Sequence, residues 1–564
     1  MKTPKNIALH VLLIMLLFVS QETAAEFFRY HNEFNYNVST GGASMDKETV
    51  QSNSESNTIT LRLKIVDALT GEIVPARVLI QDPSGNSLIP VDAVTLQVGQ
   101  ETWFMCPGIS EIHATSRHLL LRIERGKEYL RIKKELHLEG SNTEELNVML
   151  RRWIHMAGLG YVSAENHLHQ NARDVAAMCA AEDLTLGTSL QWWNYPRFEV
   201  QGDQGNLRIL KFGGVSIPVS VYDVEMEEAW GALYIINLPG PFPFEENKQM
   251  PNLPGAVYGR KHGALNCYQA GWSREVLVDA LLGYIDVVNV CNNNFHMHRF
   301  QPRSRYSNLL NVEGLPTYPD SPKGMMQMNT DTYYRLLNCG IRLAAGAGSA
   351  TGAKETPAGF NRAYIRSDLE EGIQQVYQNW KAGRNFVTNG PMLFLSTSEG
   401  LKPGDSLNFK GTKTVSLHLE AVSDSPLDLV EIVVNGKVVG SIPAGGEHRF
   451  EKDFNVILSE SAWVCARCTD TDIWLDDSEL EKYRSPQVNL NQEPNRLRYA
   501  HTSPIYFYKG GNGIAVGRSV IEGLKMIAAF REFAKENVST EYREAILQAA
   551  DKAMEILMNR LKDE

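Results

Sequence analysis

The chain has 564 residues, of which 43% are hydrophobic, and its 55 Lys and Arg against 66 Asp and Glu give a net charge of −11. Single hydrophobic cores stop growing near roughly 250–300 residues, so we expect about two to four domains. The acidic balance without a long basic block argues against nucleic-acid binding and favours a small-molecule or glycan-derived substrate.

The N-terminus has the pattern of an export signal. Two lysines among the first five residues precede an apolar run at residues 11–19, and small residues follow at 23–25. We therefore predict a signal peptide over 1–25 and an exported protein, periplasmic or extracellular, with an uncleaved anchor as the alternative. The run is shorter than the roughly 20 residues that cross a bilayer, and no later stretch suffices, so no integral membrane span is expected. Residues 26–57 are predicted to be a flexible polar leader.

Residues 58–152 are predicted to form a β-sandwich. Apolar residues alternate with polar ones at Ile59, Leu61, Leu63 and Ile65. This is the pattern of a half-buried strand, and the DALTG turn and further short apolar runs continue it. The segment DALTGEIVPARV resembles carboxypeptidase-regulatory or transthyretin-like sandwiches. No metal or catalytic cluster falls in this region.

Later segments change from α/β to all-β and then to helix. Over residues 153–390 apolar runs alternate with helical patterns, including a helix expected to begin at a capping box from Ser367 to Glu370. Short strands return over 391–510, with Asn435 and Gly436 as a hairpin turn, and predict a second β-sandwich. Two segments with apolar residues at helical spacing predict a helical tail over 511–564. One of these apolar stripes comprises Ile546, Ala549, Ala553 and Leu557.

The first candidate metal ligands lie in the segment 161–194. His167 and His169 are two residues apart at the end of an apolar run. Side chains at i and i+2 of a strand point the same way, so two imidazoles there can bind one ion. The helix predicted over 172–182 carries Glu182 at the end of its apolar face, where a carboxylate needs a partner. An ordinary hydrogen-bonded or solvated helix end is the alternative for Glu182.

A second histidine pair repeats this arrangement. His296 and His298 follow an apolar run at 284–291. Catalytic side chains of barrel folds gather at the carboxyl ends of strands, so two such pairs favour a metal site. Glu227 and Glu228 precede another apolar strand, and one of them is a candidate ligand or general base, with a solvated acidic turn as the alternative.

Residues near these pairs are candidates for substrate binding. Arg299 and Arg303 offer planar donors for a carboxylate, phosphate or sulfate, with structural ion pairs as the alternative. Adjacent tryptophans could stack on a sugar or an aromatic ring, or pack between domains. The glycine-rich turn GAGSATG could line a pocket with backbone amides. The candidate substrate-binding residues are Trp192, Trp193, Asn194, Arg303 and Ser349.

Several segments together resemble the CehA/McbA family of metallohydrolases, within the PHP (polymerase and histidinol phosphatase) superfamily, over about residues 153–400. The matching segments are HLH with AEDL and WWN downstream, EEAWGALYIINLPGP, NNNFHMHRF, YYRLLNCGIRLAAGAGSATG, GFNRAYIR and GRNFVTNGPML. The resemblance implies a multidomain protein of α/β plus all-β class. Its distorted (β/α)7 barrel, flanked by the two sandwiches, would hold one to three divalent metals (zinc, manganese or iron). Metal-activated water would then hydrolyse a phosphoester, ester or amide-type bond.

The chain departs from this family at several ligand motifs. The opening Gly-Asp-x-His-x-His falls on residues 164–169, where both histidines remain and Asn166 replaces the aspartate. The Thr-Asp-His-Asn segment falls near 188–191 without its acid and histidine, the later Gly-His falls at 231–232, and the terminal Asp-x-His is lost within 348–351. The resemblance leaves as possible ligands His167, His169, Glu182, Glu228, His296 and His298.

The leading hypothesis is an exported hydrolase that uses one metal ion, or at most two. The metal ligands would come from His167, His169, His296 and His298, and the catalytic residues would be Glu182, Glu228 and Arg299. The alternative is a non-catalytic glycan- or ligand-binding surface protein on a degenerate PHP barrel. The sequence leaves the substrate, the metal and the oligomeric state open.

Overall fold

The computed structural model describes residues 58–139, 142–199, 205–245, 250–302, 312–485 and 492–562. The predicted signal peptide, the predicted leader and Arg303 lie outside these residues. Within these ranges, no helix combines the length and the apolar character that a membrane crossing requires.

The first strands form two sheets that share one core. These strands are β1 (Ile59–Asp67), β2 (Ala76–Gln81), β3 (Thr95–Val98), β4 (Glu101–Cys106), β5 (Ile109–Ala114), β6 (His118–Glu124), β7 (Ile132–His137) and β8 (Thr143–Leu150). One sheet has the order β5-β1-β8 and the other β3-β4-β2-β6-β7. The alternating apolar residues of β1 are buried in the core between them, because successive side chains of a strand face opposite sides. The predicted β-sandwich is confirmed here.

The next segment alternates strands and helices. Its strands are β9 (Tyr161–Ala164), β10 (Gly187–Trp193), β11 (Leu207–Phe212), β12 (Val215–Glu228), β13 (Gly231–Ile236), β14 (Leu265–Ser273), β15 (Val287–Cys291), β16 (Phe295–His296), β17 (Arg299–Phe300), β18 (Ala344–Ala347), β19 (Arg362–Arg366) and β20 (Asn385–Thr388). Its helices are α1 (Ala172–Ala181), α2 (Leu253–Lys261), α3 (Val276–Leu281), α4 (Pro322–Asn338) and α5 (Ile373–Lys381), with 3₁₀ turns at Ala157–Leu159 and Leu369–Glu371.

A mixed sheet organises this segment. Its seven strands follow the order β10-β12-β13-β14-β15-β18, with β11 added on β12. The pairs β10/β12, β14/β15 and β15/β18 are parallel, whereas β12/β13 and β13/β14 are antiparallel. The expected α/β character is therefore confirmed. A single parallel bridge from Ala164 to Leu186 links the end of β9 to the start of β10.

The C-terminal strands share a sheet with the α/β segment. They are β21 (Met392–Thr397), β22 (Ser406–Phe409), β23 (Lys413–Val422), β24 (Leu427–Val434), β25 (Lys437–Pro443), β26 (Arg449–Leu458), β27 (Ala462–Thr471), β28 (Glu493–Pro494), β29 (Leu497–Thr502) and β30 (Ile505–Lys509), with a short helix α6 (Asp477–Glu481). A nine-stranded sheet runs β22-β30-β27-β29-β20-β19-β9, with β24 and β25 attached beside β27. A three-stranded sheet, β21-β23-β26, shares a core with it.

The chain ends in two helices that pack on the α/β segment. They are α7 (Gly517–Asn537) and α8 (Thr540–Lys562). The predicted stripe of α8 is buried in the same core as residues of α3, α4 and β13. Trp230 stacks edge-on against Phe533 of α7, with ring centroids 5.2 Å apart. The apolar stripes are packing surfaces, as the sequence pattern predicts.

The helix expected to begin at Ser367 begins six residues later, at Ile373. Asp368 accepts from the amide of Glu370 at 2.9 Å and caps only the 3₁₀ turn. Gly372 then adopts φ 91°, a left-handed conformation that interrupts any helix. The Ser367 hydroxyl instead accepts from the side-chain amide of Asn379. The capping-box prediction was wrong because a local turn competes for the same residues.

A buried histidine marks the junction between the nine-stranded sheet and α4. His501 on β29 is fully buried. Its Nδ1 donates to the carbonyl of Thr502 at 2.7 Å, and its Nε2 accepts from the hydroxyl of Tyr334 at 2.7 Å. Both ring nitrogens of the neutral imidazole are thus hydrogen-bonded, one as donor and one as acceptor.

Replacing His501 with Gln is expected to flatten the pH dependence of stability. Burial, with the nearby charge of Arg467, lowers the pKa of His501 to about 3. In the unfolded chain a histidine takes up a proton near pH 6.5, about its ordinary pKa, so the contribution of neutral His501 is complete above that pH and is lost as the pH falls toward 3. Urea unfolding of both proteins at several pH values measures the effect. A difference in unfolding free energy that stays constant with pH would contradict it.

Candidate metal centre

The segment that leaves β9 carries the first histidine pair. Leu168 makes a parallel bridge with Thr351, and the amide of His169 donates to the carbonyl of Thr351 at 2.7 Å. The segment is therefore extended, which places the side chains of His167 and His169 on one side. Both are buried, and their Nε2 atoms lie 2.8 Å apart. The two imidazoles meet at one point, as their spacing predicts.

A carboxylate from β12 completes the group. Glu225 lies between the buried Val224 and Met226 and faces the histidines. Its Oε1 lies 3.3 Å from Nε2 of His167, and its Oε2 lies 3.0 Å from Nε2 of His169. One ligand atom from each of the three residues lies within 4.8 Å of the others. These three residues form the candidate metal centre, referred to as the group or the centre.

The donor set fits a divalent transition metal. Such ions bind imidazole nitrogen and carboxylate oxygen at about 2.0–2.2 Å. Two ligand atoms on one ion are then about 2.9 Å apart at a right angle and about 3.4 Å apart at a tetrahedral angle. The separations of 2.8, 3.0 and 3.3 Å fall close to this range. Oε2 of Glu225 is buried and makes no well-directed hydrogen bond, so an acceptor remains for an ion.

The charge states also suit metal binding. Burial raises the pKa of Glu225, but the adjacent His167 and His169 outweigh it, and the net pKa is well below its usual range. Burial lowers the pKa of His169 more than the charge of Glu225 raises it. A carboxylate and a neutral imidazole are the forms that coordinate a metal ion.

Two aromatic rings pack against the histidines. The ring centroid of Trp193 lies 4.3 Å from that of His169, and the ring centroid of Tyr234 lies 4.5 Å from that of His167. The hydroxyl of Tyr234 donates to Oε1 of Gln269 at 2.9 Å. These contacts restrict the rotation of both imidazoles.

A second carboxyl group stands beside the centre. Glu227 follows Glu225 by two residues and lies on the same face of β12. The indole of Trp193 donates to Oε2 of Glu227 at 3.0 Å. The side chain of Asn194 accepts from the backbone amide of Glu227 at 2.7 Å and donates to its carbonyl. Burial, followed by the negative charge of Glu225, raises the pKa of Glu227 to about 8.

The second histidine pair is not part of this group. Nδ1 of His296 lies 3.1 Å from the hydroxyl of Thr356, and Nδ1 of His298 lies 3.8 Å from a carboxylate oxygen of Asp472. The sequence analysis predicted that both histidines follow a strand and, two residues apart, point the same way. Instead β16 and β17 form a hairpin, and His298 occupies its turn with φ 58°. The turn breaks the alternation that would have aligned the pair.

Glu182, predicted to be a metal ligand or proton acceptor, belongs to an ion pair that joins α1 to the sandwich. Its Oε1 accepts from Nε of the buried Arg77, and its Oε2 accepts from the amide of Gly126 at 3.2 Å. Arg77 also binds Glu124 at 2.6 Å. The carboxylate at the end of the apolar stripe has its partner, and the partner is an arginine rather than a metal.

Arg299 and Glu228 also have other surroundings than predicted. Arg299 is 1% exposed, and its guanidinium bonds the carboxylate and the carbonyl of Glu355 at 3.0 and 3.1 Å. This is the structural ion pair that was the alternative for Arg299. Glu228 is half-buried at the end of β12, on the face opposite Glu225 by strand alternation. Burial raises its pKa to about 7.

Of the predicted substrate-binding residues within the described ranges, Trp193 and Asn194 lie at the centre. Trp192 is buried, and its indole donates to the carbonyl of Phe244 at 2.8 Å. Ser349 is buried, and its amide donates to Glu165. Both are held inside the protein.

Glu225 is the candidate ligand that sequence reasoning missed. The sequence analysis considered only Glu227 and Glu228, as residues before a strand, whereas β12 extends through Glu228 and also contains Glu225. A signal was present, because Glu225 and Glu227 alternate with the apolar Val224 and Met226. Acids on one face of an otherwise buried strand indicate a polar site.

Comparison with known proteins assigns no family. No protein-family model and no curated protein matches the chain. The resemblance to the CehA/McbA family therefore stays a prediction, and the functional argument depends on the geometry of the site.

Removing one ligand of the group is expected to abolish metal binding. Wild-type protein dialysed against limiting zinc or manganese should retain about one ion per chain, and His167→Ala or Glu225→Ala well under half of it. Elemental mass spectrometry of the purified protein measures this. His298→Ala is the matched control and should keep its metal. Metal lost from the control but retained by His167→Ala would refute the assignment.

Glu182→Ala is expected to destabilise the fold without loss of metal. The substitution removes one of the two carboxylates that bind the buried guanidinium of Arg77. Breaking a buried ion pair typically costs about 3–5 kcal/mol of unfolding free energy. Chemical unfolding and metal content, measured on the same preparation, separate the two effects. Metal loss with unchanged stability would place Glu182 in the centre instead.

Proposed function

We propose that the protein is a metal-dependent hydrolase whose single divalent ion is held by His167, His169 and Glu225. The convergence of their three buried ligand atoms is the observation that carries this proposal. Three protein ligands leave room for water and substrate, which is typical of catalytic rather than structural sites. Mixed nitrogen and oxygen donors suit zinc, manganese or iron.

A bound divalent ion supplies Lewis-acid chemistry, lowering the pKa of water and polarising a substrate oxygen. The protein's own residues orient the reactants and move protons. Glu227 is placed to hold a proton on its carboxyl and pass it to a leaving group, and the indole of Trp193 fixes that carboxyl. Tyr234, anchored to Gln269, holds the ring of His167 in position.

The bond cleaved would be a phosphoester, ester or amide-type bond in a small or glycan-derived molecule. The surrounding fold would be a distorted (β/α)7 barrel. The mixed sheet with its helices and the bridge from β9 to β10 support this architecture. Export to the periplasm or the outside is supported by the N-terminal pattern alone.

Glu227→Gln is expected to lower kcat by about 10²–10⁴-fold, the usual contribution of a general acid, while metal content stays constant. The assay is hydrolysis of an aryl phosphodiester, an aryl ester and an aryl amide by zinc-, manganese- and iron-loaded protein. Glu228→Gln, on the opposite face of the same strand, is the matched control and should keep wild-type activity.

Metal-loaded wild type that cleaves none of these bonds would overturn the proposal and favour a non-catalytic binding protein. Activity that survives in His167→Ala would place the reaction elsewhere in the molecule.

A further inference from the structure

A cation stands next to the metal centre on a short aromatic stack. The guanidinium carbon of Arg197 lies 4.0 Å from the ring centroid of Tyr195 and 4.7 Å from that of Trp193. Trp193 in turn packs on His169. Arg197 is thus separated from a metal ligand by a single indole ring.

The backbone holds this arginine in place. The amide of Arg197 donates to the carbonyl of Gln191 at 2.8 Å, and the side-chain amide of Gln191 donates to the carbonyl of Phe198 at 2.8 Å. The amide of Trp193 donates to the carbonyl of Tyr195 at 3.0 Å. The loop after β10 is therefore folded back on the strand, which fixes the backbone position of Arg197.

Arg197 is half-buried, with a charge that no neighbouring acid neutralises among the described residues. Among the described residues no carboxylate lies within ion-pair distance of Arg197, and its buried Nε donates no hydrogen bond. By contrast, Arg77, Arg131 and Arg498 each bind at least two carboxylates. Leaving a partly desolvated cation without an anion costs free energy, which aromatic stacking offsets only in part.

We propose that Arg197 determines specificity by binding an oxyanion of the substrate, a carboxylate, sulfate or phosphate, beside the bond that is cleaved. This inference rests on the proposed function of the metal centre. A planar guanidinium donates two parallel N–H groups from its edge, which matches two oxygens of such an anion. Stacking occupies its face and leaves those N–H groups available. The sequence analysis predicted this anion-binding role for Arg299. The guanidinium of Arg299 instead forms an ion pair with Glu355, and Arg197 takes the role.

Direct anion binding tests the assignment. Calorimetric titration of the full-length, metal-loaded protein with inorganic phosphate, sulfate and acetate should detect one site. Arg197→Gln should weaken it about 10- to 100-fold, the value of hydrogen bonds to a charged group. Arg197→Lys should restore part of the affinity, because the charge returns without the paired donors. Arg173→Gln, an exposed arginine on α1, is the matched control and should bind as wild type.

The relative affinities of the three anions identify the class of anionic group. The proposal is overturned if wild type binds none of them, or if Arg197→Gln binds them as tightly as Arg173→Gln does. Thermal unfolding and metal content of Arg197→Gln should match wild type, so that a folding defect is recognised. Arg197→Lys keeps the test valid if Arg197→Gln fails to fold.

Kinetics separate this inference from the proposed function. Arg197→Gln should raise KM at least about tenfold for an anionic aryl phosphodiester and leave KM for a neutral aryl ester unchanged. Equal effects on both substrates would refute the specificity role. If no substrate is hydrolysed by wild type, the hydrolase proposal fails, and the anion titrations still decide the role of Arg197.

Discussion

The geometry of the centre depends on how the extended segment after β9 is held. The amide of Asn166 donates to the carbonyl of Ala347, and its side chain forms two reciprocal 2.8 Å hydrogen bonds with Asn289. Further along, the carbonyl of Leu168 accepts from the amide of Leu190 at 3.0 Å. Backbone hydrogen bonds on both sides of this segment fix the directions in which the side chains of His167 and His169 point. The CehA/McbA family that the sequence resembles has an aspartate at the position of Asn166. In this chain Asn166 holds the segment in place through its hydrogen bonds.

Local patterns predicted the local structure well. The alternation in β1 and the hairpin at Asn435 and Gly436, both with positive φ, appear as expected. Residues with distant partners were not predictable in this way. Glu182 and Arg77 are 105 residues apart in sequence, and Arg299 is 56 residues from Glu355. Glu225 joins the histidines only through strand pairing. Periodicity carries no information about such contacts, so the two histidines of the candidate centre were predictable from the sequence and Glu225 was not.

Buried ion pairs connect the N-terminal sandwich to the α/β segment and to the C-terminal strands. Arg77 links the sandwich to α1, and Arg131 from the sandwich binds Asp472 through two bonds of 2.9 Å. Such pairs contribute little net stability, since desolvation opposes their attraction, but losing one partner is costly. They favour one relative arrangement of these segments over others. The N-terminal sandwich and the C-terminal strands are therefore parts of the scaffold around the candidate centre, rather than loosely attached accessories.

The nine-stranded sheet has a consequence for the order of folding. β9, which leads into the histidines, pairs with β19 some 200 residues later in the chain, and β19 reaches the C-terminal strands through β20 and β29. Contacts of such long range form slowly, because loop closure must come first. During synthesis from the N-terminus, the histidine segment can contact β10 early, through the Ala164–Leu186 bridge and the bond from Leu190 to Leu168, whereas Thr351 and β19 are made much later. The pairing of β9 with β19 and the bond from His169 to Thr351 are thus completed late.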